Sequence, residues 1–369
     1  MATVPERASP VATRAEPETE APAPPVTAPV PAPQKTKGLR RGENLFGWLF
    51  VSPAVAILVV FTVAPIFLAL YVSFTNWSGL TSPFGHTVQL VGLSNYRALL
   101  TQPGLNQLNF ATSIRDNFYF FLFTVPLQTV VALWLATLVN NKLLRAKGFF
   151  RTAFYFPSVT SSIAITMVFI FLFQGSGPVN TVLGWFGITG PNWVYDQQGL
   201  FTLVLSGLGI QSPGWGNHTF MSLSLWQWLA GPSLGMCMII ILLVWTTSGT
   251  FMLFFLAAMQ GIGEDIDEAG AVDGVNPWQK FRLITLPLLR PALVLVITLG
   301  FISTWQVFDQ ITLTGAANPT TVTPAYLAYY LSFQDSFFGQ GAALAFLLFC
   351  LIVFLTVLQK RFIKEDLTK

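Results

Sequence analysis

The chain has 369 residues, of which 53% are hydrophobic and only 9% are charged, and its formal net charge is +3. Soluble domains carry about 25% charged residues, so this composition excludes a soluble globular protein and indicates a membrane protein. The basic residues do not cluster on a soluble face, which argues against nucleic-acid binding. The two cysteines lie in apolar segments without the neighbours that a metal or redox site requires.

Six apolar segments are long enough to cross a bilayer, whose hydrocarbon core of about 30 Å needs about 20 residues of helix. The sequence therefore predicts an all-α, polytopic membrane protein. The predicted spans are residues 46–74, 117–139, 153–173, 233–259, 291–313 and 341–361.

The Lys and Arg residues predict how these spans are oriented. An even number of spans puts both termini on one side, and placing them inside leaves only Arg97 and Arg115, of 19 basic residues, outside. Because cytoplasmic loops retain Lys and Arg, we expect both termini in the cytoplasm. Residues 1–38 are rich in Pro, Ala, Thr and Glu and predict a disordered cytoplasmic tail, which leaves residues 39–369 as the membrane domain.

Residues 188–228, which precede span four, form a predicted extracytoplasmic insertion rich in Trp, Gly and Pro. Its apolar run, residues 200–210, is too short to cross a bilayer, so we expect an interfacial or re-entrant helix there. The tryptophans of the insertion, Trp193, Trp215, Trp226 and Trp228, are expected at the level of the lipid headgroups.

The loop at residues 260–290 contains the most water-compatible stretch in the body of the chain and is predicted to lie in the cytoplasm. Acidic residues 264–268 occupy the first turns of a predicted helix, where carboxylates favour the helix dipole, and Gly274 is expected to end that helix in a left-handed conformation. Asn276 and Pro277 then predict the start of a second helix, with Pro287 at its end. The result is a bent, amphipathic helix pair suited to docking.

Polar residues inside span five are candidates for a transport path, because polar groups in a membrane are costly unless they serve a function. We single out Trp305, Gln306 and Asp309, since rings and hydrogen-bonding groups together suit a sugar, although such residues also join helices to each other. The small residues 158–162 in span three are expected to serve helix packing. His86 and His218 are expected on the solvated surface, and no residue set predicts a metal site or a catalytic site.

The sequence "EAGAVDGVNPWQKFRLITLP", which starts at Glu268, resembles the EAA loop of permease subunits in binding-protein-dependent ABC importers, and it is similar to the carbohydrate branch of that family. Gly270 departs from the motif, which usually has a second alanine there, and Gly costs a helix about 1 kcal/mol relative to Ala. The segments "VGLSNYRALL", "FRTAFYFPSV", "TWQVFDQITLTG" and "GQGAALAFLLF" are similar to the same branch, so the resemblance covers residues 45–362.

This resemblance implies a type I ABC importer permease with six spans in a bacterial plasma membrane, which moves a di- or oligosaccharide or a glycerol-phosphate-type solute. It also implies a second permease subunit, two ATP-binding subunits and an extracytoplasmic substrate-binding protein as partners. The chain would bind no cofactor and would not be an enzyme, since it lacks the Gly-rich loop that binds ATP phosphates. The residues implied to couple it to the ATPase are Glu268, Ala269, Asp273, Gly274, Ile284, Leu286 and Pro287.

Three alternatives stay open at this point. A transporter driven by an ion gradient usually carries intramembrane carboxylates or histidines, for which Asp309 is the candidate. A membrane-embedded transferase needs paired carboxylates, whereas the outer segments carry only the scattered Asp116, Asp196 and Asp335. The acidic loop could also be an ordinary amphipathic connection between two spans.

Overall fold

In the computed structural model of the chain, the described residues are 41–141, 144–209, 214–314 and 319–362. The predicted disordered tail, residues 1–38, lies outside this part, and so do Ile210 and the side chains of Trp215, Glu264 and Asp267. The chain divides into two units, residues 1–62 and residues 63–369. In the first unit, the described side chains of the helix beginning at Arg41 are exposed.

The described part of the chain is almost entirely helical. In chain order the helices are α1 (Arg41–Leu58), α2 (Ala64–Ser73), α3 (Ser94–Leu100), α4 (Leu105–Asn140), α5 (Lys147–Val159), α6 (Ser162–Phe173), α7 (Pro178–Trp185), α8 (Leu200–Gly207), α9 (Leu225–Trp228), α10 (Leu234–Gln260), α11 (Glu264–Val272), α12 (Pro277–Gln279), α13 (Leu286–Leu288), α14 (Arg290–Trp305), α15 (Asp309–Thr314), α16 (Pro324–Tyr329) and α17 (Phe338–Phe362). The strands β1 (Thr219–Phe220) and β2 (Leu223–Ser224) form a short antiparallel hairpin. Three π-helical turns are Val59–Val63, Lys280–Thr285 and Tyr330–Gln334, and two 3-10 turns are Gly214–Asn217 and Pro319–Thr321.

Among the described residues, six helical stretches are long and apolar enough to cross a membrane, which confirms the predicted all-α fold and its number of spans. They are Phe46–Ser73, Leu105–Asn140, Ser162–Trp185, Leu234–Gln260, Arg290–Thr314 and Phe338–Arg361.

Two predicted spans have the wrong bounds. Span two begins at Leu105 rather than at residue 117, because polar side chains in its first turns are buried with partners inside the protein: Gln107, for example, donates to the Leu100 carbonyl at 2.8 Å. Span three is not one helix over residues 153–173, since Thr160 and Ser161 separate α5 from α6. The break falls within the small residues 158–162, which were expected to serve packing in an unbroken helix.

The core forms where α10 packs along α4. Their apolar side chains fill two buried clusters, one around Phe120, Met238 and Leu242 and one around Leu135 and Phe255. Glycine permits a close approach of α5 to α10, because an added Cβ at Gly249 of α10 would collide with the Phe154 carbonyl of α5. Close packing of this kind fixes α5 and α6 beside α10.

The insertion before span four folds back onto α4. The Arg115 guanidinium pairs with Asp116 at 2.6 Å and also donates to the Gln227 carbonyl at 3.3 Å, while the Tyr119 hydroxyl donates to the Trp228 carbonyl at 2.8 Å. Helix α8 is short, as predicted for its apolar run.

Two of the insertion's tryptophans make hydrogen bonds through their indoles. The Trp193 indole donates to Asn180 of α7 at 2.9 Å and the Trp228 indole donates to the Phe220 carbonyl at 3.1 Å. The first bond joins the start of the insertion to α7, and the second joins α9 to β1. The expected position of the tryptophans at the level of the lipid headgroups stays a prediction.

Candidate functional site

The predicted bent helix pair is present at residues 264–288. Helix α11 ends at Val272, and Gly274 has a φ of +70°, which confirms its left-handed conformation. The Val275 amide donates to the Gly270 carbonyl at 3.0 Å, the six-to-one bond of a Schellman motif. Glycine is favoured here because a Cβ strains the left-handed region.

The second helix starts as the sequence predicts. The Asn276 side chain accepts from the Gln279 amide at 2.8 Å, and the Gln279 side chain accepts from the Asn276 amide at 3.1 Å, which completes a capping box. The helix continues through Pro287 to Leu288 rather than ending at the proline, since a π-helical turn, Lys280–Thr285, precedes it. Wider turns of this kind accommodate breaks in the regular hydrogen-bond pattern.

The two halves of the EAA-like motif meet at one contact. Gly270 is buried, and a Cβ added to it would lie 3.4 Å from Cδ1 of Ile284. Leu286 and Pro287 are half-buried on the same helix as Ile284. An apolar seam therefore joins α11 to the helix that leads into span five.

The other side of the pair is acidic and open. Glu268, Ala269 and Asp273 are exposed, and within the described residues the Glu268 carboxylate has neither a hydrogen bond nor an ion pair. The pair thus presents free carboxylates outward while its apolar residues hold it together, which is the arrangement expected of a docking element.

A polar cavity of about 250 Å³ lies between α4, α10 and the break between α14 and α15. Hydroxyls, amides and one carboxylate line this cavity together with apolar side chains. The lining residues are Thr124, Gln128, Leu243, Thr247, Ser303, Thr304, Gln306, Val307, Phe308, Asp309 and Gln310. A second cavity of about 490 Å³ shares Thr247, Ser303 and Gln306 with it and extends to Ser158, Thr160 and Ser162. The two together form a hydrogen-bonding path inside the bundle.

The broken fifth span places two of the three predicted residues at this path. Gln306 and Asp309 flank the break, line the smaller cavity and are exposed to it. Ser162 of α6 donates to Oδ2 of Asp309, so the carboxylate is held from across the cavity. Residues 158–162, which we expected to serve packing alone, therefore contribute polar groups to the cavity wall.

Trp305 lies elsewhere. Its side chain is 2% exposed, its ring centroid lies 6.1 Å from that of Phe301, and it lines an apolar cavity of about 700 Å³ with Phe118, Phe121 and Leu355. Gln306, the first residue after α14, lines the polar cavity instead. The structure separates Trp305 from the polar cavity.

Sequence reasoning missed Gln128, which joins three helices. The Thr247 hydroxyl of α10 lies 2.7 Å from Gln128 Oε1 of α4, and the buried Nε2 has no hydrogen-bond partner among the described residues. Nε2 lies over Gly300 of α14, where a Cβ would collide with it. The signal was present in the sequence as an amide in the middle of an apolar span, which is costly without a purpose.

Three features indicate a membrane transport subunit. They are the six spans, the polar cavity at a broken helix, and the exposed acidic helix pair at residues 264–288, which we call the docking pair. A family model for the binding-protein-dependent transport system inner membrane component matches residues 128–365, and the chain belongs to this family. It is a multi-pass membrane protein and a transport component of an ABC importer rather than an enzyme.

Relatives support this assignment over most of the chain. The lactose transport system permease protein LacF of Rhizobium radiobacter is 30% identical over 87% of this chain and 95% of its own length. The arabinooligosaccharides transport system permease protein AraP of Bacillus subtilis is 28% identical over 89% and 92%. The sn-glycerol-3-phosphate transport system permease protein UgpA of Pectobacterium atrosepticum is 27% identical over 86% and 94%.

A solved bacterial ABC transporter involved in the import of the acidic polysaccharide alginate shares the fold. It superposes with a TM-score of 0.64 at 17% identity, covering 89% of this chain and 98% of that chain. A further structure of the alginate transporter, in complex with a periplasmic protein bound to an alginate pentasaccharide, also has a TM-score of 0.64. The predicted type I importer permease fold is confirmed.

Proposed function

We propose that this chain imports a neutral carbohydrate, a di- or oligosaccharide, that a substrate-binding protein delivers. The relatives named above are permeases for lactose, arabinooligosaccharides and glycerol 3-phosphate, and an alginate transporter is solved with its periplasmic protein, which supports such a partner here. A second permease subunit completes the membrane part. Of the two ATP-binding subunits in the complex, one docks on residues 264–288 of this chain in the cytoplasm, where both termini lie.

The polar cavity is the observation that carries the choice of a neutral sugar. Its hydroxyl and amide groups suit sugar hydroxyls, and Phe308 offers an aromatic ring for an apolar sugar face. Neither cavity has a Lys or Arg among its described lining residues, and the smaller one holds the Asp309 carboxylate. A phosphate or a uronate would meet this carboxylate without a compensating cation, which disfavours a glycerol-phosphate-type solute.

Gln306 and Asp309 are the proposed substrate contacts, and Gln128 adds an amide from the opposite helix. Trp305 is assigned to packing against α17, because it faces the apolar cavity. Glu268 is the proposed partner of a basic group on the ATPase, and Gly274 provides the bend. Closure of the ATPase pair then moves this helix pair, and the spans rock so that the cavity changes the side to which it opens.

Uptake by proteoliposomes that contain the complete complex and its binding protein tests this proposal. We expect ATP-dependent uptake of a labelled neutral disaccharide or oligosaccharide that survives dissipation of ion gradients, and no uptake of glycerol 3-phosphate. Gln306→Leu should reduce uptake about tenfold or more, because a sugar hydroxyl then loses its hydrogen-bond partner in the cavity. Gln102→Leu, an exposed glutamine outside both cavities, is the matched control.

Three results contradict the proposal. Uptake that follows an ion gradient and ignores ATP depletion would support the ion-driven alternative. Preferred uptake of the phosphate ester would refute the argument from the cavity's charge. Equal uptake by the Gln306→Leu and Gln102→Leu variants would remove Gln306 from the substrate path.

A further inference from the structure

A chain of five aromatic rings runs away from the polar cavity. The rings are those of Phe308, Tyr329, Phe333, Phe338 and Trp77, which we call the aromatic track. Successive ring centroids are separated by 5.1, 5.1, 5.0 and 5.0 Å. Because the rings come from four separate segments of the chain, the track is not the stripe of a single helix.

One end of the track opens into the cavity and the other end is rigidly built. Phe308 lines the 250 Å³ cavity beside Asp309. At the far end the Gly339 amide donates to the Trp77 carbonyl at 3.1 Å, and the Phe338 ring fills the space that a side chain at Gly79 would need. Gly79 has a φ of +81°, so the backbone turn that seats this ring favours glycine.

The middle of the track is open. Phe333 is 62% exposed, and it meets Phe338 edge to face with an interplanar angle of 70°. Tyr329 and Phe333 lie one turn apart where α16 passes into the π-helical turn Tyr330–Gln334, and π turns are frequent at functional sites. The exposed Phe333 ring, joined through Tyr329 and Phe308 to the polar cavity, is available for contact with a ligand.

The surroundings of the track favour water rather than lipid. Gln334 and Asp335 follow Phe333 directly and are exposed, and a carboxylate is costly in hydrocarbon. Burial, followed by the neighbouring Tyr330 and Tyr329 phenols, raises the pKa of Tyr326, so that phenol stays neutral at physiological pH. Carboxylates beside the track are Asp335, which follows Phe333, and Asp309, which lies beside Phe308 at the cavity.

We propose that the aromatic track binds successive residues of a neutral oligosaccharide on their way into the polar cavity. This inference rests on the proposed function and deepens it, since it names a chain of several sugar residues as the substrate. The apolar face of a pyranose packs on an aromatic ring while its hydroxyls stay in water. Rings alone hold each residue weakly and without directional bonds, so the chain can advance from ring to ring.

Saturation-transfer NMR tests the track directly. The complete transporter in lipid nanodiscs is irradiated at its aromatic protons, a region in which neither sugars nor lipids have resonances. The probes are maltose, maltotriose and maltotetraose. We expect transfer to the sugar ring protons to increase with chain length, because longer chains cover more rings.

Variants at exposed positions keep the test independent of folding. Phe333→Ala should reduce transfer to maltotriose and maltotetraose about fivefold and leave maltose unchanged, and Phe333→Trp should restore it. Phe337→Ala is the matched control, because Phe337 is 54% exposed on the same segment but belongs to no ring pair among the described residues.

The outcomes separate this inference from the function on which it rests. Absence of transfer to every sugar with the wild-type complex would overturn both. If maltose transfer is present and depends on Gln306, but chain length and Phe333→Ala make no difference, only the track is refuted. Equal losses in Phe333→Ala and Phe337→Ala would also refute it, since they would indicate a general lipid or surface effect.

Discussion

We predict opposite effects of an alanine substitution at two glycines of the docking pair, Gly270 and Gly274. At Gly270, alanine should stabilise α11 by about 1 kcal/mol through helix propensity, and the 3.4 Å from its Cβ to Cδ1 of Ile284 is ordinary contact. At Gly274, alanine should cost about 1–2 kcal/mol, because φ there is +70° and a Cβ strains that region. Nothing lies within 4 Å of a Cβ at Gly274, so the cost comes from the backbone alone.

Amide hydrogen exchange of the purified complex measures both effects at one reporter. The Val275 amide closes the Schellman motif by its 3.0 Å bond to the Gly270 carbonyl. A change of 1–2 kcal/mol alters the open population by a factor of about 5–30. We therefore expect exchange of this amide about fivefold slower in Gly270→Ala and about fivefold or more faster in Gly274→Ala, with ATP-driven uptake kept in the first and lost in the second.

Asparagine provides the control for the left-handed position. Gly274→Asn should recover much of the protection, because Asn tolerates this region better than Ala. If exchange in Gly274→Ala equals that of the wild type, or if Asn is no better than Ala, then backbone strain is not what fixes the bend, and the reasoning fails.

Two further predictions concern coupling and packing. Glu268→Gln should reduce ATP-driven uptake by about tenfold or more without affecting membrane insertion, because the ATPase loses a charge partner. The control variant Asp265→Asn, at a neighbouring exposed residue, should retain uptake. Equal uptake by both variants would refute the coupling role. Gly249→Ala should destabilise the bundle by about 1–3 kcal/mol through collision with the Phe154 carbonyl, which thermal unfolding in detergent would show as a lower midpoint. Gly184→Ala, where nothing lies within 4 Å, should leave the midpoint unchanged, and a similar loss in both would point to a general effect of alanine.

The docking pair was predictable in detail because its signals are local. Gly274, Asn276 and Pro277 act through backbone conformation within a few residues, and the structure places each as expected. The spans were predictable in number because the requirement for apolar length is also local. Their breaks at Thr160 and after Trp305 were not predicted, although polar residues mark both places, because polar residues also occur within unbroken membrane helices.

The cavity was predictable only in part for a different reason. Gln306 and Asp309 stand out as polar residues in one span, but which side of the helix faces the bundle depends on packing between distant segments. That is why Trp305 was grouped with them, and why Gln128 and Ser162, which reach the same space from α4 and α6, were not. The sequence alone does not show which residues of distant helices come together in the folded chain.

Arg115, one of the two basic residues predicted to lie outside, also has a mechanical consequence. Arg115 pairs with Asp116 and donates a hydrogen bond to the Gln227 carbonyl, while the Tyr119 hydroxyl donates to the Trp228 carbonyl. These two hydrogen bonds join the insertion to α4. Any tilt of that helix therefore moves the insertion with it, so the position of the insertion depends on the conformation of the helix bundle.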